Sequence, residues 1–190
     1  FKLHYQPKID VMTGFVVGAE ALLRWVHPTK GSISPIDFIP VLETSGMIID
    51  VGQWVVEESC KALERWNELG LWREGTRLSI NISPRQFRRN AFVDDVVQTL
   101  NKHKIPDNSL DMEITEGIVI QRVDEAITTM TVLSEYGISF SLDDFGTGYS
   151  SISYLKRLPV STLKIDKGFV RDIIEDRNDR VLVETIITMG

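Results

Sequence analysis

Several things are scarce in this chain, and each scarcity excludes something. Cys60 is the only cysteine among 190 residues, so no intrachain disulfide and no thiolate metal cluster can form. It falls in a helical pattern and is expected to be a packed, inert thiol. Positive charge is in deficit, with a net charge of −6. That argues against a broad basic surface for polymeric nucleic acid, though a small phosphate ligand is still admissible if bound metals reverse the local field. Apolar runs are too short to cross a membrane. The chain starts at Phe1, so the lack of a targeting segment carries no information. The expected setting is a reducing, cytoplasmic compartment, including the cytoplasmic part of a membrane-anchored protein.

What remains is ordinary for a globular domain, with 43% hydrophobic and 25% charged residues. Residues 3–9 and 15–22 read as two strands joined by a short Gly-containing turn, hence an antiparallel hairpin. Ser34-Pro35 opens a helix over 35–45, and helical spacing predicts another over 49–69, stopped at Gly70. A βα rhythm follows. Strands are expected at 77–82, 110–115, 138–143 and 162–166, and helices near 91–103, 122–136, 149–157 and 178–189. Apolar strands with helical connectors imply a parallel sheet covered by helices. The expected fold is therefore α/β, a TIM-like (β/α)8 barrel with one antiparallel strand. A full barrel takes about 250 residues, so six strands in one domain over 1–190 read as a barrel truncated before its last strands.

The strands end in oxygen-bearing side chains: Glu20, Asn81, Glu113, then Asp143-Asp144 ahead of Phe145-Gly146-Thr147-Gly148. Another strand carries Lys164 and Asp166. In a βα barrel all parallel strands end on one rim, where active sites sit. An oxygen-rich rim suits Mg²⁺ or Mn²⁺. Each residue alone has a plainer reading. Glu20 could be an exposed strand-end carboxylate, Arg24 a surface ion pair, and Asn81 a turn residue beside Ser83-Pro84. Glu116 could simply begin a helix, and Asp166 could form a plain salt bridge. The glycine-rich turn lacks the Lys-Ser/Thr ending of a nucleotide P-loop. His4, His27 and His103 show no ligand spacing. The tryptophans at 25, 54, 66 and 72 read as packing.

The segment Glu20-Ala21-Leu22-Leu23-Arg24-Trp25 changes these odds. Together with Asn81-Ile82-Ser83, Glu113-Ile114-Thr115-Glu116, the Asp143 to Ser151 run and Lys164-Ile165-Asp166, it closely resembles the EAL domain. Tyr5-Gln6-Pro7 and Asp37-Phe38-Ile39-Pro40 extend the resemblance over essentially the whole chain.

That resemblance implies a phosphodiesterase hydrolysing cyclic di-GMP to linear pGpG with two Mg²⁺ or Mn²⁺ ions. It implies metal ligation by Glu20, Asn81, Glu113, Asp143 and Asp144. Lys164 would act on the attacking water or nearby phosphate oxygens, with Glu20 and Asp143 also in the catalytic set. Arg24, Gln6 and Leu22 would contact the substrate, Glu116 would anchor the loop after the Asp pair, and Asp166 would support the site from behind. It further implies a homodimer through the loop and helix after Asp144, and an upstream sensory or diguanylate-cyclase-type domain. Active members carry a later Glu in an ExVE segment and a later Gln in a QGY-like segment. Neither occurs here, so these 190 residues alone are expected to be weakly active or inactive. The alternative reading is a non-catalytic cyclic-di-GMP receptor or a regulatory, dimerising domain.

Overall fold

A computed structural model of the chain describes residues 1–146 and 152–189, without the side chains of 152 and 153. Strand β1 (Lys2–Ile9) pairs antiparallel with β2 (Val16–His27), forming the expected hairpin. β2 runs further than its sequence signal and pairs at its far end with a short strand β3 (Gly31–Ile33) that the sequence reading lacked. From β2 the sheet continues in parallel through β4 (Arg77–Asn81), β5 (Leu110–Thr115), β6 (Ser139–Phe145) and β7 (Thr162–Ile165).

Helices fill the connections. After β3 come α1 (Pro35–Ser45) and α2 (Ile48–Glu68), and α3 (Pro84–Phe87) and α4 (Phe92–Lys102) follow β4. After β5 lie α5 (Glu116–Ile120) and α6 (Val123–Glu135), and α7 (Ile152–Leu155) precedes β7. Finally come α8 (Lys167–Asp172) and α9 (Arg177–Met189). The short helices α3, α5 and α8 carry too few residues to show a helical period. The expected helix over 149–157 lies partly outside the described residues. Gly70 takes φ +65° just past α2, as a stop glycine should. Ser34 precedes α1 but its side chain makes no capping bond, whereas Ser83 does cap α3, accepting from the Gln86 amide.

Alternation along the parallel strands explains the layering. Leu78, Ile80, Leu110, Met112, Ile114, Phe140 and Leu142 face the helices and are fully buried in one core with Val56, Cys60, Leu63, Val96, Met130 and Leu133. The intervening residues face the other way and are largely polar: Ser79 and Asn81, Asp111 and Glu113, Ser141 and Asp143.

The polar face is strongly concave. Flat, a sheet spaces strands about 4.8 Å apart, so β2 and β7, with three strands between them, would lie about 19 Å apart. Yet Lys164 Nζ on β7 is 3.6 Å from Glu20 Oε2 on β2. At the opposite end of the strands, Arg77 of β4 reaches Ser161 Oγ, just before β7, at 2.9 Å. The sheet is a curved, TIM-like barrel wall with its helices outside, as expected. No helix among the described residues is long and apolar enough to cross a membrane.

Candidate active site

Five strands each bring one polar group to the same rim. Lys164 Nζ stands at the centre, 2.5 Å from Glu113 Oε2, 3.1 Å from Asp143 Oδ2 and 3.6 Å from Glu20 Oε2. Asn81 donates its amide nitrogen to Glu20 Oε1 at 2.8 Å. The parallel register sets Asn81 opposite Glu113 and Thr115 opposite Asp143, so these groups rise in a staggered row.

Glu113 is the most enclosed member, only 1% exposed. Burial alone would raise its pKa, but hydrogen bonds from Lys164 and then Lys8 outweigh it and hold the carboxyl below its ordinary value. Burial likewise works against the Lys164 ammonium. Glu113 first, then Glu20 and Asp143, overcome it and lift Lys164 above the ordinary lysine range.

Adjacent residues of a regular strand point to opposite faces, so Asp143 and Asp144 could not normally share a rim. Here β6 breaks register against β7 between Leu142 and Phe145, and Asp144 takes φ +53°. This bulge and its left-handed residue turn the strand end. Asp144 then lies near enough to Asp143 and Asp166 that its pKa rises, through burial first and these like charges next. Asp166 caps α8 by accepting from the Gly168 amide at 2.8 Å.

The remaining candidates lie around this cluster rather than in it. Gln6 is paired with Glu20 across the β1–β2 hairpin and Leu22 lies one inward step further along β2. Arg24 uses its guanidinium on the Leu23 carbonyl oxygen at 2.9 Å. Glu116 begins α5, buried at 3% exposure, and takes a hydrogen bond from the Tyr154 hydroxyl at 2.5 Å. Thr147, Gly148 and Tyr149, in the loop expected to mediate dimerisation, lie outside the described residues. A hollow of about 590 Å³ lined by Arg88, Arg89 and Arg122 includes none of the rim residues.

Sequence reasoning missed the layer beneath the rim. Lys8 Nζ donates to Glu113 Oε1 at 2.8 Å and to Ser79 Oγ at 2.5 Å. Ser79 and Ser141 both donate to Asp111 Oδ2, at 2.7 and 2.8 Å. The signal was present as polar residues two positions before each rim residue on three successive strands.

Among the described residues, no three Asp, Glu, His or Cys groups gather in a metal-holding arrangement. Glu20, Glu113 and Asp143 converge on Lys164 Nζ instead. The donor chemistry nevertheless fits hard divalent ions: carboxylates, plus an Asn whose carbonyl oxygen is not used by Glu20. A concentration of anionic oxygen that already attracts one cation is the property such a site needs.

Comparison with known proteins gives the family. The EAL domain family model matches residues 1–190. The chain belongs to the EAL domain family. This EAL domain is 40% identical over 188 residues to the bifunctional diguanylate cyclase/cyclic di-GMP phosphodiesterase MucR of Pseudomonas aeruginosa, covering 99% of the chain and 27% of that protein. It is 38% identical over 189 residues to the cyclic di-GMP phosphodiesterase NbdA of the same organism, covering 24% of it. The chain thus spans about a quarter of the length of these relatives. Among solved structures, the PaMucR phosphodiesterase in complex with c-di-GMP superposes with a TM-score of 0.94 at 40% identity, covering 99% of this chain and 75% of that one.

Proposed function

We propose that this EAL domain hydrolyses one phosphodiester bond of cyclic di-GMP, giving linear pGpG, with two Mg²⁺ or Mn²⁺ ions. The observation that carries the reading is the convergence of Glu20, Asn81, Glu113, Asp143 and Lys164 on one rim, in a chain 40% identical to a cyclic di-GMP phosphodiesterase. Glu20, Asn81, Glu113, Asp143 and Asp144 would hold the ions. Bound there, the ions would supply Lewis acidity and charge neutralisation for attack of water on phosphate.

The protein's own groups do the rest. Lys164, which reaches Glu113, Asp143 and Glu20 at the centre of the rim, orients water or a phosphate oxygen as a donor. Arg24 stands further along β2 with a planar fork suited to a substrate phosphate. Gln6 and Leu22 flank that path on β1 and β2. Glu116 on α5 holds Tyr154 on α7, the helix that follows the loop after Asp144, and Asp166 sets the neighbourhood of Asp144. The proposal extends to a homodimer through the segment after Asp144, and to a sensory or diguanylate-cyclase-type domain upstream, as MucR's bifunctional name suggests. The working site is placed in the cytoplasm.

The deciding experiment is cyclic-di-GMP hydrolysis by the full-length protein, followed as pGpG by chromatography with Mg²⁺ or Mn²⁺. Product formation abolished by EDTA and by Glu20→Ala is expected. Nucleotide binding without product would replace the enzyme with a receptor. Neither binding nor product would leave an interaction domain.

A further inference from the structure

Glu113 has two lysines, and only one of them belongs to the rim. Lys164 takes Oε2, the oxygen that faces Asp143 and Glu20. Lys8 takes Oε1 from below. The Lys8 ammonium is in turn seated on Ser79 Oγ, which donates onward to the buried Asp111. Asp111 is 2% exposed, and Ser141 secures the same carboxylate oxygen. Lys8 thus sits between two enclosed carboxylates, one at the rim and one in the barrel wall's interior.

The path that Lys8 takes is built for it. Lys8 faces Gly18 in the β1–β2 register, on the same side of the sheet. A side chain at Gly18 would collide with the Arg77 backbone carbonyl, so β2 and β4 approach there as only glycine allows. The bare backbone leaves Lys8 free to cross towards β5. A register shift at Lys8/Ile9 ends regular pairing there.

We infer that Lys8 is a positioning residue for the reaction: it pins the inner oxygen of Glu113, so that this carboxylate presents one oxygen, Oε2, to the rim in a fixed orientation. The inference rests on the function proposed above. Among the rim groups of the described residues, the bonds of Lys8 go to Glu113, so it acts through Glu113. It is also a cation beside a carboxylate that would serve a divalent ion, so removing it subtracts a like charge from the ion's surroundings. A positioning role and a merely supportive one therefore differ in sign. Losing the pin slows turnover without weakening ion binding, whereas a loosened wall weakens both.

The test uses Lys8→Met and Lys8→Arg in the full-length protein. For Lys8→Met, kcat for cyclic di-GMP should fall about tenfold or more, the scale seen when a partner of a metal ligand is removed. KM should stay within about threefold, and Mn²⁺ affinity, read from the free-ion paramagnetic resonance signal, should be no weaker than in the parent. Lys8→Arg, which keeps a cationic donor, should recover most of kcat. In EDTA, thermal midpoints of Lys8→Met, Glu113→Gln and the double variant should be non-additive, Lys8→Met costing less once Glu113 is uncharged. A Lys8→Met kcat within twofold of the parent, a joint loss of kcat and Mn²⁺ affinity, or additive midpoints would overturn the inference. Failure of the underlying reading looks different: the parent itself would show no metal-dependent turnover, while the metal-free midpoints still report whether Lys8 and Glu113 are linked.

Discussion

Tyr154 donates its hydroxyl hydrogen to Glu116 at 2.5 Å, tying α7 to the first residue of α5. Both residues are buried, and burial followed by this bond raises the tyrosine pKa above its ordinary value. Glu116 Oε2 is enclosed with no other partner among the described residues. Tyr154→Phe would leave the Glu116 carboxylate with neither oxygen paired there. Unfolding in urea should show a loss of about 1–3 kcal/mol. An unchanged midpoint would mean the bond contributes nothing.

Lys164→Met removes the cation that Glu20, Glu113 and Asp143 share. Without divalent ions, these carboxylates face one another and destabilise the fold. The thermal midpoint in EDTA should drop, and Mn²⁺ should raise it by more than it raises the parent's. Turnover should fall about a hundredfold to a thousandfold even with Mn²⁺ saturating, the scale expected for losing a charged donor at a reacting phosphate. Near-normal kcat would remove Lys164 from the chemistry.

Cys60 is wholly buried, and burial, with Glu57 and Glu64 adding, pushes its thiol up to about 12. The folded protein holds this proton more tightly than the unfolded chain, whose thiol keeps a value near 9.0. Its contribution to stability is therefore full below pH 9.0 and is lost as pH rises towards about 12. A thiol reagent at pH 8 should label Cys60 only in denaturant. Between pH 8 and pH 10, Cys60→Ala should lose less stability than the parent.

Gly18→Ala forces a methyl group against the Arg77 carbonyl oxygen, part of the β2–β4 pairing. Because the obstacle is backbone, neither strand can yield cheaply. A destabilisation of about 1–3 kcal/mol is expected, measured by urea unfolding. A neutral result would show that the two strands can separate there.

The readable parts of the fold were those with a strong period. The alternation along 110–115 set β5, whose bounds match the structure, and the spacing of Val55, Leu63 and Trp66 set α2 to within a residue at each end. Three helices of four to six residues, and β3, had no period to read. The rim residues were visible as polar side chains at or near the ends of strand-like apolar runs, although β2 continues past Glu20 to His27. Lys8 was invisible because its partner lies on β5, reached only once the sheet has curled. The shared rim of Asp143 and Asp144 depends on a bulge and a positive φ, which strand alternation cannot foresee. Arg24 was expected at a phosphate, and in the structure its guanidinium is bonded to the Leu23 carbonyl.

The 3.6 Å approach of Lys164 to Glu20 makes the rim a gauge of how tightly the wall is rolled. Each strand between them adds its own twist and spacing, so small changes accumulate at this one pair. Whatever binds across the rim draws on the stiffness of five strands at once. A ligand there would act like a clasp on a bent spring, resisting unrolling in proportion to its affinity. Hydrogen exchange at the amides of β7 should then slow when a rim ligand binds, although β7 itself supplies only one of the groups that hold it.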